Sequence, residues 1–543
     1  MQRTGHGRLG IALIGASLVA AACGSSGGSS ATTAGTAAAA TTAAAVSTTA
    51  AAGATTTGAA GANGSGEILD PSKLPKDMDG WEALWATQRA AIVKRIKDNK
   101  WGVSADGKTL TGPEGFKVDL SACAAGWSST EGLSDTDIKL GISVAQSGTL
   151  AYTAFYGKGE DALFSYYSDK GAFKDVNGKT RKVTYIQKDD GYDPVRTISI
   201  VDEFLDSDKV FGLSTTGSPN TLRTYDKMNQ RCVPQLFNLT GHPAWGDPVN
   251  HPWTTGLGLA YTTEAALWGA FIDQHMSEFP NGATVAALIE NNDFGHIYDN
   301  GFKIYLDKSP NKAKIKYVTE SVDPQSPTIT DPMTTLAAAK PDFFIAEVAG
   351  TFCTLAVTEA AQNGMHDKVK YLWQPDTCAG STQLSKAKVG SGGSASQGWW
   401  IVNGGAKDIR DPAQQADPTI VWARQLLTAK GYNPDDATEQ GLGMIYAWGW
   451  SQVMMIAGQL DGGLNRANLV LAARSLDMNN PLLLPGIAFH QDGNKDSYYI
   501  EGAIYQQFDV AKQSYISVGN VFDLDGKSPN CKFDQSKGAC DPY

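Results

Sequence analysis

After residue 22, the 543-residue sequence contains no apolar run long enough to span a bilayer. Its seven histidines include no i, i+4 pair and no H-E-x-x-H motif, so a catalytic zinc site is not expected. The only G-x-S-x-G match, at 24–28, lies in a segment with no strand or helix signal, which argues against the nucleophile elbow of an α/β-hydrolase. These absences predict a protein that is not an enzyme and that needs no metal or cofactor.

Positive charge is also scarce relative to negative charge. The sequence has 45 Lys and Arg against 56 Asp and Glu, a formal net charge of −11, so nucleic acid is not an expected partner. Residues 102–109 match the letters of a phosphate-binding P-loop, but a helix precedes them and the sequence from Leu110 to Pro113 cannot begin one. A hairpin turn at Asp106 and Gly107 is the better interpretation.

The N-terminus has the features of an export signal. Arg3 and Arg8 precede an apolar run that ends in small residues at Ala22, so residues 1–22 are predicted to be a signal peptide. The run into Cys23 resembles the lipobox of bacterial lipoproteins, although the bulky aliphatic residue, Val19, comes one position early. We expect Cys23 to be lipidated and to anchor the protein to the outer face of the cytoplasmic membrane. The alternative is an ordinary cleaved signal followed by a free cysteine.

The segment after Cys23 is low in complexity. Residues 24–66 are almost entirely Gly, Ser, Ala and Thr, with no charge, and cannot bury enough apolar surface to fold. We interpret 23–66 as a lipidated cysteine followed by a disordered tether.

Six further cysteines form an even set in an exported chain, which favours three disulfides. Cys531 and Cys540 would close a short loop, and Cys353 and Cys378 would join the ends of two neighbouring predicted strands. Cys123 and Cys232 then remain. The sequence alone leaves other pairings open, and no C-x-x-C spacing supports a zinc or redox site.

An amphipathic helix is predicted at 80–98, within an N-terminal extension at 67–136. From residue 137 short β-rich runs alternate with helical ones. Strands are predicted at 138–143, 183–188, 210–213, 235–238, 284–289, 315–319, 343–347 and 370–374. Helices are predicted at 157–170, 194–207, 221–229, 262–279, 298–308, 328–340, 353–364, 419–430 and 438–460. Further β-rich segments are predicted at 482–489, 498–508 and 514–521.

This alternation predicts an α/β fold with two Rossmann-like lobes, each built on a parallel doubly wound sheet, and a chain that crosses the hinge between them several times. We assign 137–256 and 400–497 to lobe 1, and 257–399 and 498–522 to lobe 2. Residues 523–543 would form a C-terminal tail with a disulfide.

Several motifs follow one another in the order found in a known family. They are Ile138 to Ile142 with Ser147 and Gly148, Lys188 to Pro194, Cys232 to Pro234 before Pro243, Glu290 to Gly295, Lys340 to Asp342, and Leu483 to Gly486. In this the chain resembles the type I periplasmic solute-binding proteins of ABC importers, in particular the leucine/isoleucine/valine-binding group, from about residue 137 to 522. The resemblance implies two lobes joined by a three-segment hinge, with a ligand held in the cleft between them.

Loops at the carboxyl ends of parallel strands are where ligands bind in such sheets. Gln146, Ser147 and Thr216 lie in such loops and offer hydrogen-bond donors, although helix capping explains such residues as well. The resemblance places further ligand-binding positions in the first lobe at Tyr152, Thr215, Leu239, Thr240 and Gly241. In the second lobe it places an aromatic position at Phe294.

The loop containing Gly350 and the aromatic Trp373 are added to the predicted cleft, with core packing as the alternative for the tryptophan. The acid with which amino-acid binders of this family hold an α-ammonium aligns with Phe352, and the nearby Glu347 is expected inside a strand. This departure weakens a branched-chain amino-acid assignment.

We therefore expect a lipoprotein that binds a small organic solute, such as an amino acid, an amide or an aromatic or hydrophobic carboxylic acid. It would act as a monomer, deliver the solute to an ABC importer permease and contact the membrane only through its lipid. A sensory or receptor lipoprotein with the same fold is the alternative.

Overall fold

The computed structural model describes residues 73–380, 383–385 and 388–541, apart from the side chains of 391–393. The predicted signal peptide, Cys23 and the tether lie outside these residues. The fold is α/β, with two large, mostly parallel sheets, as the alternating pattern predicts. None of the described helices combines the length and the apolar character needed to cross a bilayer.

The N-terminal extension packs on the first lobe. It consists of helix α1 (Met78–Asp98) and a small antiparallel sheet of β1 (Gly102–Val103), β2 (Thr109–Thr111) and β3 (Lys117–Asp119). Asp106 and Gly107 lie between β1 and β2, so the P-loop-like letters form the predicted hairpin. The ring of Trp85 packs edge-on against Trp448 at a centroid distance of 5.6 Å, which joins α1 to the first lobe's core.

The first lobe is built on a six-stranded sheet with the order β5-β6-β4-β7-β8-β9. Its strands are β4 (Asp137–Val144), β5 (Phe173–Lys174), β6 (Thr180–Asp189), β7 (Gly212–Thr215), β8 (Gln235–Asn238) and β9 (Thr254–Gly256). All neighbours are parallel except β5 and β6. Its helices are α2 (Ala154–Asp169), α3 (Pro194–Glu203), α4 (Ser218–Leu222) and α5 (Tyr225–Gln230).

Helix α3 shows how local sequence sets the ends of an element. The Asp193 carboxylate accepts a hydrogen bond from the Val195 N–H, and Pro194 suits the first helical turn. The helix ends before the predicted residue 207 because the chain widens into a π-helical turn at Phe204–Asp208 and leaves it through the left-handed backbone of Lys209.

The second lobe is built on a seven-stranded sheet with the order β11-β10-β12-β13-β14-β17-β18. Its first elements are α6 (Tyr261–His275), β10 (Ala283–Glu290), α7 (Asp293–Lys308), β11 (Ile315–Val322), α8 (Thr330–Ala338), β12 (Phe343–Glu347), α9 (Thr351–Gln362), β13 (Tyr371–Trp373) and β14 (Trp400–Asn403). Alternate residues of β10 enter separate cores on the two faces of the sheet, with Val285 and Ala287 on one face and Ala286 and Leu288 on the other. Burial on both faces explains the continuous apolar runs of these strands.

The chain then returns to the first lobe before completing the second. The elements after β14 are α10 (Pro418–Ala429), α11 (Glu439–Gly458), α12 (Arg466–Ala473), β15 (Asp477–Met478), β16 (Phe489–His490), β17 (Ala503–Asp509), β18 (Ser514–Phe522), β19 (Lys532–Asp534) and β20 (Ala539–Asp541). Helix α11 packs in the first lobe's core, whereas β17 and β18 extend the second sheet. The chain therefore passes between the lobes at 257–260, after β14, and again before β17.

Two assignments made from the sequence are wrong. Residues 400–403 were placed in lobe 1, but they form β14, whose antiparallel hydrogen bonds to β17 put it in the second sheet. The apolar run at 482–489 is not a continuous strand, because Phe489–His490 pairs with β15 and Leu483 forms only an isolated antiparallel bridge with Ala406. Its remaining residues pack as irregular chain against the first lobe, as the buried side chains of Leu482 and Leu483 show.

The structure contains three disulfides, Cys123–Cys232, Cys353–Cys378 and Cys531–Cys540, which is the pairing favoured by spacing. The first joins the extension to the first lobe across a sequence separation of 109 residues. The third closes the hairpin of β19 and β20 at the C-terminus.

Candidate functional site

A cavity of about 100 Å³ lies where the two lobes meet. Leu239 to Gly241, after β8, form its wall in the first lobe, and Asp376 and Thr377, after β13, contribute from the second. All three passages between the lobes also line it, through 257–259, Gly404 with Ala406, and Ile500. The cavity thus lies at the carboxyl ends of the strands and beside the hinge, which is where ligands bind in open α/β sheets.

Tyrosine rings form much of the wall. Tyr156 of α2 and Tyr446 of α11 meet at right angles, with ring centroids 6.0 Å apart. Opposite them Tyr261 of α6 is held by Phe294 and Tyr298, at centroid distances of 5.2 and 4.5 Å. The wall is completed by aliphatic side chains from both lobes, so it offers a mainly apolar surface to a solute.

Two acids, Glu264 of α6 and Asp376, also line the cavity. Glu264 accepts hydrogen bonds from the Tyr298 hydroxyl at 2.5 Å and from the Asp376 N–H at 2.8 Å. Burial, together with the neighbouring Asp376 charge, holds the pKa of Glu264 well above its usual range. Burial also raises the pKa of Asp376 to about 7, against the opposing effect of the Gly404 N–H.

Several hydroxyl groups at the cavity have unused hydrogen-bonding capacity. The Tyr446 side chain is 9% exposed, and its hydroxyl makes no hydrogen bond within the described part of the chain. The Thr377 hydroxyl oxygen is buried and is likewise without a partner among the described residues. By contrast, the Thr240 hydroxyl is paired with that of Ser218 at 2.9 Å.

Of the ligand-binding residues predicted from sequence, Leu239, Thr240 and Gly241 line this cavity. Gly241 is required by close packing, because a Cβ there would lie 2.3 Å from the carbonyl oxygen of Leu259. The loop after β8 therefore cannot carry a larger residue at this position without moving the first passage between the lobes.

Other predicted residues of the first lobe are engaged elsewhere. The Gln146 N–H and the Ser147 hydroxyl both donate to Asp189 at 2.8 Å, on the exposed rim. Thr215 is fully buried, and its side chain is paired with Asn238 and Thr221, so it has a packing role in place of the predicted ligand contact.

The hydroxyl oxygen of Thr216 is buried without a partner among the described residues, but Thr216 is not in the cavity wall.

In the second lobe, the predicted aromatic positions belong to the core. The Trp373 ring stacks on the Trp400 ring, with centroids 5.5 Å apart, in a core of the seven-stranded sheet. This position corrects the prediction that Trp373 lines the cleft. Phe294 is buried behind Tyr261 and supports the wall without forming it. Glu347 lies at the end of β12, as expected, and Phe352 is buried in the core on one face of the sheet.

Two other predicted residues lie where the lobes touch. The Tyr152 hydroxyl is 3.4 Å from the Thr377 carbonyl oxygen. Beside Gly350, the N–H of Thr351 donates to the Thr149 carbonyl at 3.3 Å. The lobes therefore contact each other on the side of the cavity away from the hinge.

Three residues that line the cavity are not predicted from the sequence: Glu264, Asp376 and Tyr446. Asp376 has a recognisable signal, because it follows a predicted strand at its carboxyl end. The other two lie on helices that were predicted, but the sequence does not say which helical face meets the other lobe.

A cluster of one histidine and two aspartates, of a composition that could hold a metal ion, lies outside this cavity. The His490 Nδ1 atom is 3.3 Å from an Asp496 carboxylate oxygen and 3.5 Å from one of Asp525. Burial opposes the charged imidazole, but the two carboxylates outweigh it and raise the pKa of His490 to about 10. An imidazolium that pairs with both acids explains this cluster.

Comparisons with known proteins agree with this architecture. Residues 137–499, more than half of the chain, match the family model described as periplasmic binding protein. No curated protein is significantly similar in sequence.

Solved structures share the fold at low identity. A fatty acid ABC transporter substrate-binding protein from Thermomonospora curvata is 17% identical, with a TM-score of 0.59, over 77% of this chain and 96% of its own. A branched chain amino acid ABC transporter protein from Thermus thermophilus with bound valine is 16% identical, with a TM-score of 0.59, over 72% and 97%. A solute binding protein from Rhodopseudomonas palustris BisB5, in complex with 3,4-dihydroxybenzoic acid, is 16% identical, with a TM-score of 0.56, over 72% and 98%.

Proposed function

This chain belongs to the periplasmic binding protein family, and on that premise we propose that it captures a small organic solute for an ABC importer. The family acts outside the cytoplasm, so the solute would be bound there and delivered to a permease in the membrane. The proposed role is binding and release, with no covalent change to the solute.

The observation that carries this proposal is the cavity with walls from both lobes and from all three passages between them. A solute held there would contact both lobes at once. Because a ligand shifts a conformational equilibrium by its differential affinity, such a solute would favour the closed arrangement. Closure would then be the signal that a permease recognises.

The cavity walls favour capture over catalysis. Among the lining residues that the structure describes, there is no serine, cysteine or histidine, so a Ser–His or Cys–His nucleophile pair is absent there. The acids and tyrosines present can bind a solute through hydrogen bonds and ring contacts.

We further propose that Cys23 is lipidated and that residues 24–66 tether a monomeric domain near its permease, which would raise its effective concentration there. A Cys23→Ser variant would then leave the membrane fraction and appear in the soluble extracytoplasmic fraction. Retention of the variant on membranes would contradict the anchor.

A thermal-shift screen of the purified full-length protein tests solute capture. Small amines, amino acids, amides, aromatic acids and short fatty acids would be compared, because binding to the native state raises the melting temperature by mass action. A saturable shift with the solute recovered unchanged is the expected result. Consumption of the solute, or no shift with any class, would contradict the proposal.

A further inference from the structure

Resting on the proposed function, we propose that the solute is an organic ammonium cation with a small apolar body and no carboxylate, held by Asp376 and Glu264. The sequence had favoured a carboxylic acid or an amide, so this inference changes the expected ligand class. It follows from what the cavity wall contains.

Charge is the first argument. The wall includes two carboxyl side chains and, among the lining residues that the structure describes, no lysine, arginine or histidine. Glu264 is 1% exposed and has the Asp376 N–H and the Tyr298 hydroxyl as partners, neither of which carries a positive charge. Burial disfavours the ionised form of both acids, and the described lining residues supply no cation to stabilise it, so an ammonium group bound beside them would be the partner that this form needs.

The space that continues beyond Asp376 strengthens this argument. A smaller adjoining cavity shares Asp376, Ala406 and Leu442 with the first and is also lined by Asp408 and Asp411. Among the described residues that line it, the one lysine, Lys407, is already paired with Asp417 at 2.7 Å. An anionic solute would therefore meet acids on both sides, whereas a cation would meet partners.

The tyrosines are the second argument. Tyr156, Tyr261 and Tyr446 line the same cavity, and aromatic faces attract cations through their π-electrons. The Tyr446 side chain lines the cavity at 9% exposure and its hydroxyl has no hydrogen bond to the described residues, so its oxygen is available as an acceptor for an ammonium N–H. Aromatic rings combined with acids and without a base suit an alkylammonium group.

Size is the third argument. An apolar cavity of about 150 Å³ can hold benzene, so a cavity of about 100 Å³ suits a compact solute somewhat smaller than a benzene ring. Isobutylamine is therefore a suitable probe. It is valine without its carboxylate, and isovalerate is valine without its ammonium group.

The test is calorimetric titration of the full-length protein with isobutylamine, tetramethylammonium, isovalerate, isovaleramide and valine. Isobutylamine is expected to bind at least 10-fold more tightly than isovalerate, isovaleramide or valine. Tetramethylammonium has no N–H group, so its affinity separates ring contacts from hydrogen bonds to the acids. Tighter binding of isobutylamine or of tetramethylammonium than of isovaleramide and isovalerate supports the proposal.

Substitutions locate the effect. Asp376→Asn should weaken isobutylamine binding at least 10-fold, while Asp331→Asn, an exposed acid on α8, should leave it unchanged. Tyr446→Phe, which keeps the ring and removes an unpaired hydroxyl, should weaken isobutylamine more than tetramethylammonium. If Asp376→Asn does not fold, the ranking of ligands by the unmodified protein still decides.

Two results would overturn the proposal and are distinguishable. Preferred binding of isovalerate, isovaleramide or valine would reject a cationic solute and leave solute capture intact. No binding by any of these probes, and no thermal shift in the wider screen, would reject solute capture as well.

Discussion

The backbone N–H of Asp376 donates a hydrogen bond to a carboxylate oxygen of Glu264 across 2.8 Å. This bond ties the loop after β13 to the first turn of α6, and so it places two acids side by side in the cavity wall. Burial raises the pKa of both acids, and the Asp376 charge raises the pKa of Glu264 further, because like charges in a poorly solvated site repel. The stability of the ligand-free protein should therefore depend on these groups.

The first prediction concerns pH. The pKa of Asp376 is raised from 3.8 to about 7 by burial, beside Glu264, Tyr261 and Tyr446. Its neutral form therefore stabilises the fold at low pH, and this contribution is lost as pH rises from about 4 through about 7. Asp376→Asn should remove that loss, and at pH 8 it should be more stable than the unmodified protein by roughly 2 kcal/mol.

Urea unfolding of both proteins at pH 4.5, 6, 7 and 8 measures this difference. The comparison is needed because Glu290 and Glu439, whose pKa values burial also raises to about 7, contribute equally to both proteins. A difference in the free energy of unfolding that does not change between pH 4.5 and 8 would contradict the assignment to Asp376.

The second prediction concerns closure of the lobes. A Cβ at Gly350 would lie 2.6 Å from the Thr149 carbonyl oxygen of the other lobe. Gly350→Ala should therefore weaken binding of whichever solute the screen identifies by about 10-fold or more, because the closed arrangement becomes strained. Calorimetric titration of the variant measures the loss.

Gly178→Ala is the matched control for that substitution. Gly178 has a similar left-handed φ of 78°, against 62° at Gly350, but a Cβ there would meet nothing within 4 Å. Gly178→Ala should lose about 1 kcal/mol of stability from backbone strain, and Gly350→Ala should lose more, because its ψ of −133° lies outside the left-handed helical region. Equal solute affinities in the two variants would show that Gly350 does not limit closure.

The third prediction concerns the disulfides. In the chain-entropy model a cross-link stabilises more when it closes a longer loop. Replacing Cys123 and Cys232 by serine, which opens a separation of 109 residues, should cost about 5 kcal/mol. The same change at Cys531 and Cys540, a separation of 9 residues, should cost about 2.5 kcal/mol.

Guanidinium unfolding of the two serine double variants measures which disulfide contributes more to the free energy of unfolding. If the C-terminal pair costs more than the pair that joins the extension to the first lobe, loop length is not what governs their stabilisation.

The fourth prediction concerns the N-terminal extension. Trp85 is completely buried, packs on Trp448 and donates its indole N–H to the Asn479 carbonyl at 2.8 Å. Trp85→Ala should lower the free energy of unfolding by about 3 to 5 kcal/mol, because it leaves a cavity and an unpaired carbonyl. Trp101→Ala, at a half-buried position shortly after the end of α1, should lower the free energy of unfolding by less. Equal losses would mean that α1 is not an integral part of the first lobe.

The sequence by itself determined the fold class. The strands at 235–238 and 343–347 were predicted at their observed limits, because buried parallel strands are short apolar runs bounded by helix caps and turns. Cysteine spacing also favoured the observed disulfide pairing. The Asp106 and Gly107 pair also predicted the hairpin at residues 102–109, because this dipeptide favours a tight turn between two strands.

Only the tertiary structure decided the chemistry of the cavity. Thr215 and Trp373 follow strand-end patterns typical of a cleft, yet their partners, Asn238 and Trp400, turn them inward. Glu264 and Asp376 are 112 positions apart along the chain, and only the packing of α6 beside the loop after β13 makes them neighbours. The sequence specifies which elements form through short-range propensity and burial, but the side chains that share a cavity are selected by how two separately built lobes meet.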